Sequence, residues 1–240
     1  MPVVVRTKPT VREAVAVSYL YETHFHTAET SWCGNVPAAE GVRAYREQGY
    51  SGIVVTDHYF DGIFDRIDAA SWEDKLDIWL QGWRAAVAAG QKEGIAVFLG
   101  MELRFAGHSE DYLVYGVSES FLREHPRLYA MTEAAFSRLA REQGLFFGQA
   151  HPFRPGLTRC DPALLDGVEV FNGNLRHNSH DDDALAFARE NGLIETSGSD
   201  FHEWEDLARG GMASPEPVRD ERDWVRRLKD RTLKPLFPAG

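Results

Sequence analysis

The feature that most limits what this chain can fold into is a recurring alternation of short β-branched or aromatic runs with longer amphipathic ones, the pattern of βα units. The strand-like runs are Val17 to Tyr21, Ile53 to Thr56, Ala96 to Leu99, Tyr112 to Tyr115, Leu145 to Gly148, Val168 to Phe171 and Leu193 to Thr196. Helical patterns fall between them at Pro37 to Gln48, Trp72 to Lys92, Thr132 to Gln143 and His180 to Glu190, each closed by a Gly within two residues of its end. Trp72, Trp79 and Trp83 recur at helical spacing and read as a core stripe. Asp181, Asp182 and Asp183 read as first-turn carboxylates at the positive end of a helix dipole.

A chain of 240 residues with no internal repeat and no linker-like tract reads as one domain, 1–240, with a loose N-terminal segment at 1–11. Hydrophobic residues at 43% and charged residues at 26% predict a packed core and argue against disorder. The formal net charge of −11 repels a polyanion such as duplex DNA, so long nucleic acid is excluded as the expected partner while a small phosphate ester is not. No apolar stretch approaches the roughly twenty residues a membrane span needs. Arg6, Lys8 and Pro9 do not make a secretory leader, and a cytoplasmic location without membrane association is expected. Cys33 and Cys160, the two cysteines, are expected as free thiols in a reducing compartment. The oligomeric state has no signature in the sequence.

The polar residues that follow the strand-like runs carry the chemistry. They are His24 and His26, then Asp57 and His58, then Glu102; the fourth run contributes little, and His151 with Arg154, Asn172 with Asn174, and Asp200 with His202 follow the last three. In a closed barrel of parallel strands such positions converge on one mouth. His24 and His26 are two apart, which on an extended backbone places both imidazoles on one face, roughly 7 Å apart at Cα. Asp200 and His202 repeat that spacing. Mixed nitrogen and oxygen ligands suit Zn²⁺, Mn²⁺ or Fe²⁺. Seven candidate ligands (His24, His26, His58, Glu102, His151, Asp200 and His202) exceed what one catalytic ion uses, so two or three divalent ions are expected, with Glu102 as the bridge.

Such a cluster activates water as hydroxide for in-line displacement at phosphorus. Glu102, His202 and Asp57 are the candidate catalytic groups, Asp57 either orienting a neighbouring His or capping its turn. Arg154, three residues after His151, is the candidate phosphate clamp, with Arg176 as a second. The segment Ala106 to Asp111 ("AGHSED") reads as an ordinary polar turn, as do Asn172 and Asn174. The expected activity is hydrolysis of a phosphate ester on a small phosphorylated metabolite or nucleotide. The alternatives are a nuclease or phosphodiesterase acting on nucleic-acid ends, and a metal-stabilised binding domain without turnover.

The order "HFH", "TDH", "GMEL", "HP" and "SDFH" from Tyr19 to His202 resembles the polymerase and histidinol phosphatase (PHP) family. The resemblance implies a distorted (β/α)7 TIM-like barrel and up to three metals. It would place His24, His26, Glu102 and Asp200 at one metal, His151 with the shared Glu102 at a second, and His58 with His202 at the remaining one. Two family ligands lack clear counterparts. Glu29 or Cys33 would stand in for the first, and His108 or Asp111 for the other.

Overall fold

A computed structural model describes residues 18–237, so the expected loose segment at 1–11 lies outside the described residues. The strands are β1 Tyr19–Phe25, β2 Tyr50–Val55, β3 His58–Tyr59, β4 Ala96–Arg104, β5 Asp111–Tyr115, β6 Phe146–Gln149, β7 Gly167–Asn172, β8 Ile194–Gly198, β9 Met212–Ser214 and β10 Lys234–Pro235. The α-helices are α1 Ala38–Glu47, α2 Asp61–Arg66, α3 Trp72–Trp79, α4 Gln81–Glu93, α5 Glu119–Glu124, α6 Glu133–Gln143, α7 Asp181–Glu190 and α8 Glu221–Lys229. All seven sequence-predicted strands are present, most of them longer than their most apolar stretch.

The strands form one curled sheet in the order β10, β9, β1, β2, β4, β5, β6, β7, β8. The sheet nearly closes into a barrel between β8 and β1, because Phe25 at the end of β1 and Phe201 beyond β8 form a parallel bridge. Phe201 N donates to His24 O at 2.9 Å and His26 N to Phe201 O at 3.1 Å. The fold is therefore a distorted TIM-like α/β barrel whose parallel order is interrupted at β5 and at the edge, where β9 runs antiparallel to β1 and to β10. β5 runs antiparallel to both β4 and β6, joined to β4 by a hairpin with no helix. Its first residue, not its last, thus lies at the mouth, and Asp111 sits opposite Arg104 in register.

The predicted helix from Trp72 to Lys92 is broken at Leu80 into α3 and α4. The cause is a side chain inserted at the break: Thr30 Oγ1 donates to Trp79 O at 2.8 Å and accepts from Gly82 N at 3.1 Å. A Cβ at Gly82 would stand 1.9 Å from Thr27 Oγ1, so the close approach of α4 to this loop requires glycine. The Trp stripe is largely core, with Trp79 only 2% exposed and Trp72 and Trp83 packed at its edge.

Period-two alternation links the core to the site. Phe98 and Glu102 share one face of β4; the first packs with Tyr21, Tyr115, Phe146 and Trp224 of α8, and the second enters the polar mouth. At the seam Glu22, fully buried, accepts from Thr23 N, His24 N and Ser199 N at 2.8 to 2.9 Å and from Tyr45 Oη at 2.7 Å. Buried donors stripped of their acceptor keep their full desolvation cost. Glu22→Ala should therefore lower unfolding free energy by about 3 kcal/mol or more, while Glu22→Gln, which keeps one acceptor oxygen, should cost clearly less. Urea denaturation of both variants is the check.

Candidate metal centre

Seven side chains from five segments meet at the barrel mouth. His24 comes from β1 and His26 from just beyond it, His58 from β3, Glu102 from β4, His151 from the turn after β6, and Asp200 and His202 from the loop after β8. Glu102 lies at the middle. One of its oxygens is 3.2 Å from His24 Nε2 and 3.2 Å from His151 Nε2; the other is 2.7 Å from His58 Nδ1 and 3.4 Å from His26 Nε2. Asp200 Oδ1 stands 3.4 Å from His24 Nε2, 3.5 Å from His26 Nε2 and 3.3 Å from His202 Nδ1. His24 and His26 have no solvent exposure, and Glu102, His151 and Asp200 are at most 2% exposed. His58 and His202 keep a little exposure at the rim.

Several of these atoms converge without bonding to one another. His24 Nε2, His26 Nε2, His58 Nδ1 and Glu102 Oε2 are buried and have no hydrogen-bond partner of acceptable geometry, despite the 2.7 Å approach of the last two. Each such orphan costs about 1–3 kcal/mol if nothing satisfies it. Lone pairs aimed at a common space, and not at one another, fit a cation between them. Among the described residues four triads place three ligand atoms within 4.8 Å of one another: His24, His26 and Asp200; His24, Glu102 and His151; His26, His58 and His202; and His58, Glu102 and Asp111.

The electrostatics agree with that fit. Burial and the neighbouring His202 and His58 hold His26 well below the usual imidazole range, in the neutral form that ligates. Burial opposes ionisation of Glu102, but His24 and His58 outweigh it and hold the carboxyl well below its ordinary value. Burial likewise opposes charge on His24, yet Asp200, Glu169 and Glu102 raise it. A divalent ion would supply positive charge at the same place.

A layer of hydrogen bonds fixes the imidazoles. Glu169, 1% exposed on β7, approaches His24 Nδ1 at 2.9 Å, and accepts from His151 N at 3.0 Å and Asn172 Nδ2 at 2.8 Å. Ser31 Oγ lies 3.2 Å from His26 Nδ1 and donates to Asp57 at 2.7 Å. Asp57 also accepts from Thr27 N and Oγ1, each at 2.8 Å, and burial pushes its carboxyl up to about 6. It thus acts on His26 through Ser31. A Cβ at Gly198 would meet His24 Cβ at 2.5 Å, so this wall of the site is backbone in close approach. His151 and Asp200 hold left-handed φ angles of 29° and 50°, uncommon for non-glycine residues and shared here with Arg127, His180, Ala208 and Arg231 outside the cluster.

The other candidates divide. Arg154 Nη2 donates to Asp200 Oδ2 at 2.8 Å and Arg176 Nη2 to Asp206 at 2.8 Å, and both arginines line a cavity of about 380 Å³ over the cluster. Cys33 lines the same cavity; burial raises its thiol, but His202 and His58 outweigh that and bring it down to about 7. Glu29 is elsewhere, its carboxylate accepting from Ala38 N at the start of α1. His108 is 43% exposed and lies near Glu110 and Glu133.

Asp111 departs from the polar-turn reading. It is 5% exposed, lines the cavity, and grips Arg104 through both oxygens at 2.7 and 2.8 Å. Asn172 and Asn174 shape their turn and also reach Asp200, with Nδ2 to Oδ2 distances of 3.3 and 3.4 Å. Sequence reasoning passed over Glu169, Glu22, Arg104 and Trp32. For the two glutamates a signal existed: a carboxylate inside an apolar strand run must be buried with partners.

No protein-family model matches the chain, and no curated protein sequence matches it. Solved structures do. A two-domain protein from Bacteroides vulgatus ATCC 8482 containing a predicted PHP-like metal-dependent phosphoesterase is 19% identical, with a TM-score of 0.65 over 98% of this chain and 70% of its own. PsfC from Pseudomonas syringae PB-5123 is 22% identical, with a TM-score of 0.68 over 92% of both chains. A candidate metal-dependent phosphoesterase from Bifidobacterium adolescentis ATCC 15703 is 16% identical, with a TM-score of 0.53 over 89% of this chain and 96% of that one. The near-closed barrel is thus a fold shared with these structures, one of which contains a predicted PHP-like phosphoesterase.

Proposed function

We propose that the protein is a cytoplasmic, single-domain metal-dependent phosphoesterase acting on a small phosphorylated molecule. Two or three divalent ions (Zn, Mn or Fe) would be held by His24, His26, His58, Glu102, His151, Asp200 and His202. The observation that carries this reading is the convergence of buried, unpartnered nitrogen and oxygen atoms around Glu102. Asp111 has a weaker claim as a ligand, because both its oxygens are already engaged by Arg104.

When bound, such ions acidify water and neutralise charge on a phosphoryl group, which is the chemistry an ester hydrolase needs at neutral pH. The chain's own residues do the rest. Glu102 offers one oxygen to His24 and His151 and the other to His26 and His58, the placement of a bridging carboxylate. Arg154, partly buried with its Nε unpartnered, is placed to take peripheral oxygens of a phosphate, and Arg176 lines the same cavity. His202 stands at the exposed edge of the cluster, where a leaving alcohol would depart, with Nδ1 held by Asp200 O at 2.9 Å. Asp57 is a positioning residue for His26 by way of Ser31.

The decisive measurement is bound-metal analysis of the purified protein, followed by a screen of phosphate monoesters and diesters with metals added back. We expect at least two ions per chain and monoester turnover that a chelator abolishes and added metal restores. Turnover of diesters alone would overturn the phosphatase reading. Replacing both His24 and His26 by Ala should cut turnover by about a thousandfold or more, and undiminished activity would disprove the ligand assignment. Glu169→Gln, which keeps the shape but not the charge behind His24, should lower metal affinity about 10–100-fold in a chelator competition while leaving the protein folded.

A further inference from the structure

Among the described residues four large apolar side chains stand exposed, and one of them, Trp32, lines the cavity over the metal centre. Trp32, 47% exposed, lines the cavity; Leu175 lies between the lining residues Asn174 and Arg176; Trp204 follows the lining residue Glu203. Exposed apolar residues scattered singly are ordinary, but a half-exposed indole in the wall of a polar cavity offers a ligand a contact surface.

Trp32 is also held firmly. Its neighbour Ser31 donates to Asp57, Ser31 N bonds Thr27 O at 2.9 Å, and Thr30 is locked into the break between α3 and α4. The Arg66 guanidinium lies 3.4 Å from the Trp32 ring centroid, and Phe60 meets the indole edge-on at 5.8 Å and 77°. A large ring fixed in this way while half in water is preorganised for a ligand, because little conformational entropy remains to be lost on binding. Trp32 further divides two environments. On one side is the cavity with Arg104, Arg154 and Arg176, and on the other a hollow of about 180 Å³ walled by Ile63, Ile67, Ile78 and Trp79 together with Glu29, Thr30 and Arg66.

We infer that Trp32, with Phe60 beside it, forms a subsite for a flat aromatic ring on the alcohol portion of the substrate. The substrate class is then a phosphate ester of a ring-bearing alcohol, with phosphate at the arginines and ring at the indole. This rests on the phosphoesterase reading. An alkyl chain would gain only burial here, whereas a planar ring also stacks on indole and on guanidinium faces. Arg104, over the Phe60 ring at 5.0 Å, already makes that second kind of contact.

The test compares adenosine 5′-monophosphate with ribose 5-phosphate, which share phosphate, sugar and scissile oxygen and differ only in the ring. Benzyl phosphate serves as a ring that is not a base. Turnover is measured with metal added, and binding to metal-free protein by equilibrium dialysis. Wild type should prefer adenosine 5′-monophosphate by about tenfold or more, and in Trp32→Leu that preference should collapse through KM, with Trp32→Phe recovering most of it. Benzyl phosphate behaving like the nucleotide means any ring suffices, and benzyl phosphate behaving like the sugar phosphate means a base is required. Absence of a ring preference in wild type, or equal weakening of both ligands in Trp32→Leu, would overturn the subsite. A Trp32-dependent ring preference in binding without hydrolysis of any ester would leave the subsite standing and reject the phosphoesterase reading. Hydrolysis without Trp32 dependence would reject the subsite alone.

Discussion

The architecture depends on the crowding of four imidazoles around one buried carboxylate. Glu102 could not occupy an interior position without compensation, since a desolvated carboxylate is costly unless opposite charge or donors surround it. His24, His26, His58 and His151 surround it, carried by three separate stretches of chain at the mouth. Holding these rings so close, with His26 and His58 ring centroids 4.5 Å apart and His202 stacked on His26 at 4.1 Å, demands a rigid frame behind them. That frame is a set of buried carboxylates: Glu22 ties the seam, Glu169 fixes His24 and the His151 turn, and Asp57 ties the Thr27–Ser31 loop. The polar layer is therefore continuous with the fold.

Much of this was legible in the residues. The seven β-rich runs emerge as strands because buried barrel strands favour β-branched and aromatic side chains, and glycine closes α4 and α6 in left-handed C-caps at Gly94 and Gly144. The short strands β3, β9 and β10 have too few residues to show a period. The direction of β5 was hidden for another reason. Alternation reports which face a side chain takes, not which way the strand runs. The apolar parts of β4 and β5 left room for a crossover, but the strands extend through polar Glu102, Arg104 and Asp111, leaving a connection too short for one. That reversal is why Asp111 reaches the mouth while "AGHSED" reads as a loop.

The same limit applies to the site. His24, His26, His58, Glu102, His151, Asp200 and His202 were visible as residues of the right chemistry at strand ends, and the structure brings all seven together. Glu29 carries a suitable group too, but its carboxylate is taken up by the backbone of α1. Proximity in sequence could not separate it from Cys33, which turns into the cavity. Glu169 was obscured because an isolated carboxylate between valines gives no hint of its partner 145 positions earlier in the chain.

The interruption at Leu80 has a consequence for how the molecule tolerates change in chain length. Thr30 bonds to both sides of the gap, and Trp79 Nε1 donates to His58 O at 2.8 Å, so two helices and two ligand-bearing segments share one set of contacts. Adding or deleting a residue in α3 or early α4 would rotate Trp79 and Gly82 by about 100° about the helix axis and release those contacts together. An insertion between the exposed Pro126 and Arg127 would break no contact that joins two helices to ligand-bearing segments. Drift in loop and helix length should accordingly be unevenly distributed along such a chain, with its most rigid ruler lying far in sequence from most of the residues it keeps aligned.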